Sequence, residues 1–130
     1  MDEAEREQFV RQPHTAVLAT VWDEDRAHAV PVWYLYHDGA FHIITGRDSQ
    51  KHRNVERHGR ATLCIDQRDG QFRHVTVEGP VTVSQSVTLD ERYALWRHYR
   101  GEEEARRATA GSADNMVMLV LTPERWMTYG

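Results

Sequence analysis

The sequence predicts a mainly β protein: a six-stranded antiparallel β-barrel with a few helices. Three observations predict it. Six runs rich in branched and aromatic residues are separated by turn signals: "TAVLATVW", "HAVPVWYLYH", "FHIIT", "RATLCID", "FRHVTVEGPVTVS" and "MVMLVLT". His37-Asp38-Gly39 between two of them is a strong hairpin signal. The runs 15–22 and 28–36 are apolar on both faces, whereas an antiparallel sheet usually wets one. Two dry faces in a small domain predict a closed barrel whose outside is covered by a helix, a ligand or a second subunit.

The elements follow in order. "DEAEREQFVRQ" is good helix-forming sequence, with Phe9 and Val10 as apolar anchors and Pro13 as its stop. The first three strands read as a meander turning at 23–26 and at 37–39. "SQKHRNVERHG" is a short helix, with Asp48 or Ser49 as N-cap and Gly59 as stop. A turn at Asp69-Gly70 precedes an alternating strand in which Val75, Val77, Val81 and Val83 share a face. Gly79-Pro80 interrupts that strand and marks a bulge or bend. Thr88 and Glu91 form a capping box for a helix carrying Leu89, Tyr93, Leu95, Trp96 and Tyr99. "GEEEARRATAGSADN" reads as a solvated helix or loop, and "PERWMTYG" as a tail.

At 130 residues, with no repeat or linker, one domain over 1–130 is expected. The formal charge of -4 gives no general attraction to nucleic acid or anionic membranes, so any anion site must be local. No apolar run approaches membrane-spanning length. The single cysteine, Cys64, leaves no internal disulfide and fits a reducing, cytoplasmic setting. It sits in an apolar strand and is expected to be buried and inert. The polar, acidic start does not read as a signal peptide.

One stretch carries chemistry. In "ITGRDSQKHRN" Lys51 is the only lysine of a chain that otherwise uses arginine. A helix N-terminus has unpaired N–H groups and a partial positive charge, so cations crowded there imply an anion among them. Arg47, Lys51, His52 and Arg53 crowd this end. Phosphate suits such a site, with Ser49 and backbone N–H groups donating and Lys51 as a point charge. Arg47, Lys51 and Asn54 are spaced to converge at one helix end. A solvated basic helix, salt-bridged to Asp48 or Glu56, is the plainer alternative.

The string from His14 to Asp66, continuing through "VTVEGPVTV" and closing on "PERW", resembles the split-barrel flavin and deazaflavin reductases. These are also called pyridoxamine 5′-phosphate oxidase-like proteins. Within them it is most similar to the small actinobacterial branch that uses the 8-hydroxy-5-deazaflavin coenzyme F-420. Its most specific elements are "AVPVWY", the segment Ser49 to Asn54, and "PERW". The resemblance implies a six-stranded split barrel forming a homodimer, with the cofactor between subunits. It implies that Ser49 and Lys51 hold the cofactor phosphate, supported by Arg53 and Arg47. Val30, Pro31, Val32 and Trp33 would lie against the ring system, and Thr45 and Gly46 would turn into the phosphate loop. Trp96, Arg125 and Trp126 would approach the partner's pocket. Many relatives carry Asp-Pro where this chain has His58-Gly59, a change that alters a turn.

In such proteins the cofactor carries the hydride chemistry, so no catalytic triad is required and no catalytic residue is assigned. Tyr34, Tyr36 and His74 are conceivable proton donors, with packed aromatic or satisfied histidine as the preferred reading. Trp33 either borders the ring or packs as core. The eight histidines show no spacing diagnostic of zinc, and no haem axial ligand stands out. The expected function is hydride transfer from reduced F-420 to a tetrapyrrole, quinone or enone. FMN fits the same phosphate site, and a non-catalytic carrier or ligand-binding module is the third reading.

Overall fold

The computed structural model describes all 130 residues, Met1–Gly130. Helix α1 (Glu3–Val10) is followed by strands β1 (Ala16–Val21), β2 (Ala27–Val32), β3 (Leu35–His37) and β4 (Ala40–Gly46). Helix α2 (Gln50–His58) leads into β5 (Arg60–Gln67) and the long β6 (Arg73–Ser84). Helices α3 (Leu89–Arg100) and α4 (Glu102–Ala108) precede β7 (Met116–Leu121) and β8 (Arg125–Tyr129).

All pairings are antiparallel, in the order β2-β1-β5-β6-β7-β4-β3, with β8 also on β6. The two outermost strands of that path, β2 and β3, are joined by Trp33 and Tyr34 alone. Val32 and Leu35 are then three Cα steps apart, about 11 Å at most, so the ends of the path must meet. The sheet therefore curls into a barrel that is split at this joint.

Eight strand segments replace the six expected. The run 28–37 breaks at Trp33-Tyr34 because its halves pair on opposite sides of the split, Val32 with Ala16 and Leu35 with His42. The anticipated meander is thus two hairpins rather than three neighbouring strands. The supposed tail is β8, which pairs with β6 from His74↔Tyr129 to Glu78↔Arg125. It continues β7 along the same edge of β6, where Val81 faces Leu121.

The irregularity read at Gly79-Pro80 lies across from it. Two residues of β6, Gly79 and Pro80, face three, Thr122 to Glu124, so the extra residue bulges from the partner segment. Thr122 N–H donates to the Pro80 carbonyl at 3.0 Å and Glu124 N–H to the Glu78 carbonyl at 2.9 Å. A Cβ at Gly79 would run into the Thr122 carbonyl oxygen. The residue is glycine because two backbones meet there.

Local signals match the elements. Asp38 and Gly39 both have positive φ, 53° and 72°, as a two-residue hairpin turn of the primed type requires. Ser49 caps α2, and Gly59 ends it in the left-handed region at φ 69°. The capping box of Thr88 and Glu91 starts α3, and Asp2 with Glu5 makes another at α1.

Strand alternation sends Leu18, Phe41, Ile43, Leu63, Ile65, Val75, Val77 and Leu119 inward into one core. Phe9 and Val10 of α1 join it, fully buried. The outer face of β1 is not dry: Val17 and Val21 are each 41% exposed. Cys64, opposite Val17, is likewise exposed rather than buried, because it falls on the outward register of β5. No helix is long and apolar enough to cross a membrane.

Candidate functional site

The split is where the side chains with chemistry gather. A cavity of about 380 Å³ lies between the end of β2, the end of β4 and α3. Pro31, Val32 and Trp33 form one wall, Thr45 and Gly46 the strand end opposite, and Lys51 reaches in from the first turn of α2. Ile44, Leu95, Trp96 and Met116 complete it. Of the residues expected at the cofactor, the chain brings together Pro31, Val32, Trp33, Thr45, Gly46 and Lys51.

Lys51 is the one charged side chain lining this space. Burial holds its pKa below the ordinary lysine value, and no carboxylate or hydrogen bond offsets that effect. A half-buried ammonium with no partner, facing an apolar cavity, is an anion site in its chemistry.

The remaining cations of the cluster do not converge on it. Arg47 turns to the Gln85 side chain at 2.9 Å and to the Gln85 carbonyl. Arg53 folds back to the Asp48 carbonyl and to Gln50 Oε1 at 2.6 Å, on the opposite flank of α2, beside Asn54 and Arg57. The convergence expected of Arg47, Lys51 and Asn54 is absent within the chain, because each of these side chains other than Lys51 has its own partner. Asn54 is buried, donating to Thr20 Oγ1 at 3.0 Å and accepting from Gln50 at 2.7 Å, which ties α2 to β1. His52 is buried beneath the helix. Its Nδ1 accepts from Asp48 N–H at 2.9 Å, which leaves Nε2–H to donate to Glu56 at 3.0 Å. That bridge braces the turn at Asp48, whose φ is 65°.

Ser49 Oγ accepts from His52 N–H at 3.3 Å and lies 3.2 Å from Thr45 Oγ1. The hydroxyl expected to hold phosphate thus sits at the strand end that lines the cavity, occupied as the N-cap. Val30 packs against the core instead of the cavity.

Trp33 borders the cavity with one ring face covered from within the chain. Tyr99 stacks on it at 4.7 Å between centroids, and Trp96 meets it edge-on at 5.1 Å. Trp96, expected in a partner's pocket, lines the cavity of its own chain. Trp126 lies under Arg6, whose guanidinium is 4.0 Å from its ring, and beside Phe41. Arg125 is on the outer face near Glu78.

Tyr99 was not anticipated as a site residue. Its hydroxyl donates to the His14 carbonyl at 2.6 Å and accepts from Tyr34 N–H at 3.1 Å, closing the backbone at the split. Its place on a helix face with Trp96, three residues earlier, was the available signal. Leu95, Ile44 and Met116 read from sequence only as members of a helix and two strands.

None of the three conceivable proton donors lines the cavity. Tyr34 is fully buried in the core, and burial pushes its pKa far up. Tyr36 donates to Glu7 at 2.9 Å, and burial with that carboxylate pushes its pKa up to about 12. His74 stacks on Tyr129 at the far end of β6.

Fold and cavity define the class: a mainly β split barrel with one partly desolvated lysine at its opening. The chain belongs to the pyridoxamine 5′-phosphate oxidase family, whose pattern matches residues 2–130. It is similar to a conserved hypothetical protein from Mycobacterium tuberculosis, at 25% identity and a TM-score of 0.86, over 99% of this chain and 84% of that one. An F420 reductase matches at 17% identity and a TM-score of 0.70, over 93% and 94% of the respective chains. A FAD-binding protein from Mesorhizobium loti matches at 15% identity and a TM-score of 0.74, over 98% and 94%. At those identities the latter two show the fold alone. A search of curated proteins returned no match.

Proposed function

We propose that the protein is a reductase that binds the deazaflavin coenzyme F-420 in the split and delivers its hydride to an electrophilic small molecule. The observation that carries this reading is Lys51, the unpaired and partly desolvated cation at the mouth of an apolar cavity. Residues and group fit: the ammonium takes the phosphate, and Pro31, Val32, Trp33 and Trp96 border the ring system. When bound, the reduced coenzyme supplies the hydride, and the substrate takes up that hydride with a proton from solvent. The chain's own contribution is to hold the phosphate and to exclude water with Ile44, Leu95 and Met116. The F420 reductase among similar structures supports the choice of coenzyme through shared fold.

A homodimer belongs to the same reading. On the outer face Val17 and Val21 of β1 are each 41% exposed, and from Val17 a row runs through Cys64 and Thr76 to Met127 of β8, 38% exposed. Arg125 stands on that face as well, available to a neighbouring subunit's cofactor. A second copy across it would dry the surface that the sequence marks as apolar. Gel filtration is expected to show a dimer, and Val17→Glu to yield monomer with weakened coenzyme binding. A wild-type monomer would overturn this part.

Coenzyme choice is tested by fluorescence titration with F-420 and with FMN. Tight binding of F-420, lost at least tenfold in Lys51→Ala, is expected. Binding of FMN alone at micromolar level would replace the coenzyme, and an unaffected Lys51→Ala would remove the phosphate site. A protein that binds F-420 yet never oxidises it across an electrophile panel would be a carrier.

A further inference from the structure

A second cavity, of about 270 Å³, lies between α3 and the outward face of β3, β4 and β7. Its walls are Leu35, Ile44, Ala94, Leu95 and Met118. Ile44 and Leu95 also line the Lys51 cavity, so the two spaces adjoin at this pair of side chains. Their polar ends differ in sign. The first carries Lys51 alone, whereas the second carries Asp90 and Glu91 from the first turn of α3, and His37 and His42 from the hairpin.

We propose that this second cavity is the substrate chamber, and that it takes a flat apolar electrophile bearing a positively charged substituent. The assignment as substrate chamber rests on the coenzyme occupying the Lys51 cavity. The preference for a cation rests on this cavity's own residues.

Asp90 makes no hydrogen bond or ion pair within the chain, so its carboxylate is open to a ligand. Glu91 Oε1 accepts from Thr88 N–H at 2.8 Å, and its carboxylate charge still faces the same space. The histidines do not cancel these charges. His37 Nδ1 is spent on Asp38 at 2.9 Å. His42 stacks on His37 at 3.8 Å, and burial and then that neighbour hold its pKa below the ordinary imidazole value, which favours the neutral ring. Arg97 and His98 border a separate depression that shares only Leu35 and Ala94. An aromatic body against the apolar walls, with its cation at Asp90, satisfies both features. A carboxylate-bearing tetrapyrrole would place like charges together, so the inference narrows the substrate class.

The test uses three naphthoquinones of one skeleton: neutral, trimethylammonium-substituted and sulfonated. Their binding to the full-length protein is measured by equilibrium dialysis, with and without F-420. The cationic probe is expected to bind about fivefold more tightly than the sulfonate at low salt, the scale of one exposed ion pair, with the gap closing as salt rises. Ala94→Trp should fill the chamber and abolish binding of the cationic probe while coenzyme binding persists. Asp90→Asn, which keeps the side-chain size, should close the gap between the cationic probe and the sulfonate, and Asp90→Lys should reverse their order. Equal affinities for the charged probes, or probe binding untouched by these variants, would overturn the proposal. The arm without coenzyme reports on the chamber even if F-420 fails to bind, so the two readings fail separately.

Discussion

Lys51 is costly where it stands, and that cost makes its role measurable. Burial lowers its pKa, and an anion beside it restores the charged form. Binding of a phosphate-bearing coenzyme therefore takes up a proton once the pH exceeds the lowered value in the free protein. Above that point affinity should fall by about tenfold per pH unit, as for linkage to a single proton. Titrations across the alkaline range check this, and Lys51→Arg should flatten the fall. Tyr99 is the second residue whose removal is legible. Tyr99→Phe keeps the stack on Trp33 but strips partners from Tyr34 N–H and the His14 carbonyl. Leaving such groups unpaired costs about 1–3 kcal/mol, to be read from urea denaturation.

Among the elements, α3 and β4 do most to build the site, and β6 organises the sheet behind it. Helix α3 supplies Leu95 and Trp96 to one cavity and Asp90, Ala94 and Leu95 to the other. β6 switches its partner from β8 to β7 at Gly79-Pro80. Gly79→Ala should cost about 1–3 kcal/mol, because a Cβ there overpacks two backbones rather than a side chain that can yield. Thermal and urea denaturation measure it. Elements were legible in the sequence where local signals govern: the capping box of Thr88, the Gly59 stop and the Asp38-Gly39 turn all stand where expected. The split at Trp33-Tyr34 was not, since nothing in "VPVWYLYH" says that its halves pair with different neighbours. β8 was hidden because alternation is weak in "RWMTY" and its partner lies far away in sequence. The site was half legible. Residue type marked Lys51, but helical spacing could not tell which polar side chains find partners of their own, as Arg47, Arg53 and Asn54 do.

For the molecule as a whole, acid should loosen the fold. His14, His42 and His98 are held below the usual imidazole pKa, each chiefly by burial. Between the lowered folded values and the ordinary value of about 6.5, the unfolded chain binds more protons. Stability is therefore full above that window and falls as pH drops through it. Denaturation midpoints should decline from pH 7.5 to pH 5, and His42→Gln should reduce the slope. A flat profile would contradict the assigned burial of these rings.

The joint at Trp33-Tyr34 also bears on how the chain reaches this state. The barrel is closed covalently at its split, between strands adjacent in sequence, and both flanking hairpins are local. The remote partner is β7, which must enter between β4 and β6, setting Leu119 against Ile43 on one side and Val83 on the other. Closing that loop carries the larger chain-entropy cost. Until β7 docks, the Lys51 cavity lacks Met116 and the second chamber lacks Met118. Ligand-binding competence in refolding should therefore appear with the slowest phase, after most of the sheet has formed.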